Sequence, residues 1–152
     1  MRRGCIIRGR PLSIVAALLW FFATLAFPGC GHHGKPAGET SNLIFRDTEG
    51  SEVARAWMAL PARVPGPGQA FSGAFHVTSA RGDFPTLSSN GYAAFVGEGG
   101  QSINANLNPN VADHNVTLAG KTGAGEVRGT WALSTFGGVK PRGTFVLAWP
   151  GK

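Results

Sequence analysis

In the stretch Phe71-Ser-Gly-Ala-Phe-His-Val-Thr78 the side chains fall into two alternating sets. Phe71, Gly73, Phe75 and Val77 share one side of an extended chain, and Ser72, Ala74, His76 and Thr78 share the other. The alternation returns in residues 101–107, where Ile103, Ala105 and Leu107 are interleaved with Ser102, Asn104 and Asn106. It returns again in 126–133 (Val127, Gly129, Trp131, Leu133) and in 143–149 (Phe145, Leu147, Trp149). A helix cannot hold a period of two on one face, so this pattern restricts the chain to half-buried strands more than any other feature.

Between these runs lie turn formers. Gly97-Glu-Gly-Gly100 separates a run at 91–96 from that at 101–107, and Asn108-Pro-Asn-Val-Ala-Asp113 leads into 115–118. Upstream, 43–48 and 52–60 flank Glu-Gly-Ser, followed by the proline-rich loop 61–68. Residues 52–60 are ambiguous: Val53, Trp57 and Leu60 also fit helical spacing, with Ser51 as a cap. Their strand-rich neighbourhood favours a strand. The count is eight, with most of the later links of hairpin length. Twenty-three glycines, ten prolines and a charged fraction of 14% suit turns better than exposed helices. Ten phenylalanines and four tryptophans supply apolar area for a core. The expected fold is all-β: a single small antiparallel meander barrel of about eight strands, or a sandwich, over residues 43–152. Closure is the simplest way for such a meander to remove its exposed edges.

The N-terminus is organised differently. Residues 1–10 hold four arginines and no acid, and 12–27 form a sixteen-residue run without charge. That run is short for a membrane span, which needs about 20 residues, and the order of parts is that of a secretory signal covering 1–29. Phe27-Pro28-Gly29-Cys30 resembles the lipobox of bacterial lipoproteins, in which a small residue precedes a cysteine that becomes the acylated N-terminus. Gly29 and Cys30 match that pattern, while Phe27 and Pro28 depart from its usual leucine and small residue. The resemblance implies lipidation of Cys30 and a membrane-anchored protein of the bacterial cell envelope. Thr24-Leu25-Ala26 offers a rival exit by ordinary signal cleavage, and an uncleaved anchor is a third outcome. Residues 30–42 then have the composition of a flexible tether, its His32-His33 pair read as spacer. With Cys5 in the signal, no disulfide is expected in the domain.

The phrases Gly129-Thr-Trp-Ala-Leu and Gly143-Thr-Phe-Val-Leu are similar to strands of lipocalin-like and avidin-like small barrels. That resemblance spans roughly residues 70–149 and implies a barrel able to hold a small apolar ligand. No binding residue carries over.

Little in the chain points to chemistry. The net charge of +6 is concentrated in the first ten residues; beyond them ten scattered cations face eight acids, so no basic stripe for nucleic acid exists. Asp113-His114 is the closest acid–imidazole pair, but neighbours on a strand point apart, which argues against a catalytic dyad. His76 is expected on the face opposite Phe75. Arg81-Gly82-Asp83 and Asn115-Val-Thr117 match short adhesion and glycosylation patterns that ordinary turn chemistry and a bacterial host leave empty. No cofactor, metal site or enzymatic activity is expected. The expectation is an exported, lipid-anchored structural or protein-docking module, with a small-molecule or lipid binder as alternative. Its partners would be the membrane through Cys30 and either an envelope protein or a small apolar ligand.

Overall fold

Alternating side chains become alternating walls once the strands pair. The computed structural model describes residues 40–82, 84–87, 91–111 and 113–149, so the expected signal segment, Cys30 and His32-His33 lie outside the described residues. Eight strands follow in order: β1 (Thr40–Arg46), β2 (Glu52–Ala59), β3 (Ala70–Ala80), β4 (Gly91–Val96), β5 (Ser102–Asn106), β6 (Asn115–Thr122), β7 (Glu126–Thr135) and β8 (Gly138–Ala148). Each pairs antiparallel with the next, and β8 returns to β1 through Leu43↔Leu147 and Phe45↔Phe145, closing a barrel. The expected all-β meander is therefore present, closed as a barrel. Closure gives every strand two hydrogen-bonded neighbours and leaves no free edge.

Several strands run beyond the stretches marked by the sequence pattern, and the inward face of one differs. β1 begins at Thr40, within the stretch 30–42 read as tether, because Ser41 is small enough to face inward and is 4% exposed. β2 is a strand over 52–59, but its inward set is Ala54, Ala56 and Met58 rather than the Val53 and Trp57 of the helical spacing. Backbone pairing on both sides, to β1 and β3, overrides any local helical preference. β8 starts at Gly138, five residues ahead of the clear alternation, because Phe136-Gly137 turns the chain directly back onto β7.

The interior is filled. Leu43, Phe45, Val96, Leu107, Val116 and Val127 are fully buried, with Phe75, Tyr92, Trp131, Phe145, Leu147 and Trp149 among them. Six of the inward aromatic and leucine positions expected from periodicity (Phe71, Phe75, Trp131, Phe145, Leu147, Trp149) lie in or against this core. The space left between Met58, Ile103, Leu118, Phe145 and Trp149 is about 10 Å³, at the limit of holding one water molecule. An eight-stranded barrel is just wide enough for side chains to fill it.

One end of the barrel carries the β1–β2, β3–β4, β5–β6 and β7–β8 connections. There Phe45, Phe84 and Trp131 meet with ring centroids 4.9 to 5.6 Å apart. Trp131 Nε1 donates to the Arg46 carbonyl at 2.8 Å, tying β7 to the end of β1. That approach needs Gly143, with φ of 152°: a Cβ there would lie 1.9 Å from the Arg46 oxygen. Toward the other end Phe71 packs edge-on against Tyr92 and Trp149, at 6.0 and 5.9 Å. Thr40 and Trp149 both lie at this second end, as their register with Ala59 and the β6–β7 turn shows.

Candidate functional site

With the core made of its own side chains, the surface left accessible is the outer wall of the sheet. Outward positions of β4–β7 form aligned rows across the sheet. One row runs Ala93–Asn106–Thr117–Ala132, and the next runs Phe95–Asn104–Ala119–Thr130. Small residues at Ala93, Ala119 and Ala132 lower the floor, while Phe95 and Val139 rise at its sides. The result is a shallow concavity of about 580 Å³.

This wall carries no charged side chain in either row. The nearest cations along it, Lys121 and Arg128, share the following row, and Arg128 is ion-paired with Glu126. Two of the four exposed large hydrophobic groups among the described residues, Phe95 at 42% and Val139 at 64%, border this concavity; the other two are Val64 and Phe136, the latter at the tip of the β7–β8 turn. Exposed apolar groups gathered on one face, bordered by polar ones, mark an interaction surface more often than scattered single ones do.

Periodicity did not single out this wall. In Gly91–Val96 the sequence Tyr-Ala-Ala-Phe-Val lacks alternation, and nothing local says that Phe95 points outward while Tyr92, Ala94 and Val96 point in. The available signal was the run of uncharged off-face residues Ser102, Asn104 and Asn106, which becomes a surface only once four strands are laid side by side.

The residues with reactive side chains are placed elsewhere. Asp113 and His114 do meet, with His114 Nδ1 3.2 Å from Asp113 Oδ2, which corrects the expectation that they would point apart. The reason is backbone geometry: His114 precedes β6 and adopts φ of 61°, so strand alternation does not apply. Asp113 Oδ1 also accepts the N–H groups of His114 and Phe136, at 2.9 and 3.0 Å. The carboxylate thereby fastens the β5–β6 loop to the β7–β8 turn. His76 faces outward as expected and lies against Trp57, with ring centroids 5.7 Å apart. Asn115 donates through Nδ2 to the Val111 carbonyl at 2.7 Å and sits half-buried in β6, a poor acceptor for a glycan. Arg81 and Gly82 are exposed, whereas Asp83 lies outside the described residues.

A second recess, of about 270 Å³, opens beside the Phe84–Trp131 contact and is lined also by Asp47, Thr48 and Arg142. Asp47 is committed to the β1–β2 turn, its Oδ1 accepting from Glu49 and Ser51 backbone N–H groups at 2.9 and 2.8 Å. Among the described residues no three His, Cys, Asp or Glu side chains gather to hold a metal ion.

Tyr92 is the one described group whose titration is strongly displaced. Its hydroxyl donates to the Ala59 carbonyl at 2.7 Å, and burial pushes the phenol up to about 12. The unfolded chain releases this proton near pH 10, so the folded state holds it more tightly between the two values. The associated stability is fully present below pH 10 and is lost as pH rises through about 12, a change of roughly 2–3 kcal/mol. Because Tyr92 is the only tyrosine, tyrosinate absorbance reports it alone. The folded protein should titrate near 12 and Tyr92→Phe should lose this alkaline dependence; a midpoint near 10 before unfolding would contradict the burial.

Compared with protein-family models, curated proteins and solved structures, the chain matches none.

Proposed function

We propose that this chain is exported, held at a membrane by acylation of Cys30, and serves in the cell envelope as a non-enzymatic docking module. The observation that carries the docking reading is the filled interior. A carrier of small apolar ligands requires a cavity inside its barrel, and the space between Met58, Ile103, Leu118, Phe145 and Trp149 is about 10 Å³. What the barrel offers a partner is its outer wall, where an uncharged concavity is bordered by the exposed Phe95 and Val139. The anchor rests on the residues before the barrel: a basic start, a sixteen-residue apolar run, and Gly29-Cys30. Acylation would also account for a cysteine that has no disulfide partner downstream.

Mass spectrometry of the mature N-terminus from a bacterial host tests the anchor. The expected product begins at Cys30 and carries its acyl chains; a chain beginning at Phe27 with a free thiol at Cys30 would overturn it. Stoichiometric uptake of a hydrophobic dye, abolished by Trp131→Ala in a still-folded protein, would replace docking by ligand carriage.

A further inference from the structure

We infer that the recess beside the Phe84–Trp131 contact binds a free α-amino acid with an aliphatic side chain, its ammonium at Asp47 and its carboxylate at Arg142. The inference goes beyond the docking reading and does not involve the β4–β7 wall.

Segments far apart in sequence build this recess. Asp47 opens the β1–β2 turn, Val53 lies near the start of β2, Phe84 is in the β3–β4 loop, and Pro141 and Arg142 belong to β8. Each wall is held in place. The Arg81 N–H donates to the Val53 carbonyl at 2.8 Å, and the Phe84 N–H donates to the Arg81 carbonyl at 3.3 Å, so the loop that carries Phe84 hangs from β2. Val53 and Phe84 pack against the core, and Trp131 is fixed by its bond to the Arg46 carbonyl. β8 lies directly on the β1–β2 turn: a Cβ on Gly143 would be 2.8 Å from the Asp47 Cα. That approach brings Asp47 and Arg142 to one recess.

The charged groups are of opposite sign. Oδ1 of Asp47 takes the Glu49 and Ser51 N–H groups, which fixes the carboxylate, while among the described residues no donor reaches Oδ2. Arg142 makes a contact of its own within the protein, but a guanidinium has several N–H donors in a planar fork that matches a carboxylate. One charge of each sign selects a ligand that carries both, since a lone ammonium would face Arg142 and a lone carboxylate would face Asp47. The rest of the lining used here, Val53, Phe84, Pro141 and Trp131, is apolar and suits an aliphatic side chain. A volume of about 270 Å³ equals roughly nine water volumes, which fits an amino acid the size of leucine or methionine. Asp47 and Arg142 are half-buried, so water weakens each contact and binding belongs in the micromolar to millimolar range.

Isothermal titration calorimetry of the full chain, as its host processes it and in mild detergent, tests the site. Leucine or methionine should bind with a dissociation constant below about 1 mM. 3-Methylbutylamine and 4-methylpentanoate each keep the side chain of leucine and one of its charges, and should bind at least about tenfold more weakly. Asp47→Asn keeps Oδ1 as the acceptor for the turn and replaces the open oxygen by an amide NH2 group. It should weaken leucine binding at least about tenfold with melting unchanged. Arg142→Gln should weaken it as well, and decides the matter if Asp47→Asn fails to fold. Neither leucine nor methionine binding below about 1 mM, single-charge analogues binding as well as leucine, or unchanged affinity in the folded variant would each overturn the inference. All three outcomes leave the anchor at Cys30 and the β4–β7 wall untouched, so this site and the docking reading fail separately.

Discussion

Truncating Trp131 to alanine is expected to lower the unfolding free energy by about 3–5 kcal/mol. The indole lies 4% exposed, against Phe45 at 5.6 Å and Phe84 at 5.5 Å between ring centroids, so its removal empties space that rigid neighbours cannot refill. It also removes the Nε1–H donor to the Arg46 carbonyl, the link that holds β7 to the end of β1. Trp131→Phe separates the two contributions. It keeps most of the ring contact and loses the hydrogen bond, and should cost about 1–2 kcal/mol. Urea denaturation followed by far-ultraviolet circular dichroism measures both. A loss below about 2 kcal/mol for the alanine variant would mean that the indole borders open space, contrary to a filled interior.

Gly129→Ala should be at least as damaging, for the opposite reason. Gly129 pairs with Gly120 across β6 and β7, and a Cβ on Gly129 would lie 2.0 Å from the Ala119 carbonyl oxygen and 2.4 Å from the Gly120 Cα. Both obstacles are backbone, so no rotamer change relieves them. The two strands must separate in the middle of an eight-residue ladder, which costs more than the roughly 1–3 kcal/mol of ordinary overpacking. Loss of a cooperative thermal transition near physiological temperature is the expected readout. Gly137→Ala serves as control: its nearest neighbour, Thr135 Oγ1, would be 3.5 Å away, and a change within about 0.5 kcal/mol is expected. Equal melting temperatures for the two variants would show that the β6–β7 approach is looser than described.

The surface ion pairs contribute little by comparison. Arg55 and Glu52 are joined by two hydrogen bonds at 2.5 and 2.7 Å, and this contact holds the Glu52 carboxyl below its ordinary range. Both groups are in water, where such pairs are screened.

The sequence by itself determined the strand count, the all-β class and most of the inward set, because a period of two survives in any sheet that buries one face. Phe75, Trp131, Phe145 and Leu147 are in the core for that reason. The proposal of an exported, acylated chain likewise rests on the local order of charge, apolar run and cysteine in residues 1–30 rather than on folding. Other features are consequences of which strands become neighbours. Whether the meander closes depends on β8 reaching β1, a contact between residues about a hundred positions apart. Phe95 faces outward only because Tyr92 is held inward by the Ala59 carbonyl, 33 residues away in sequence. The Asp113–His114 contact arises from a left-handed backbone at His114 that alternation cannot anticipate. The uncharged wall exists only where four strands stand in register, so tertiary structure alone decided that surface.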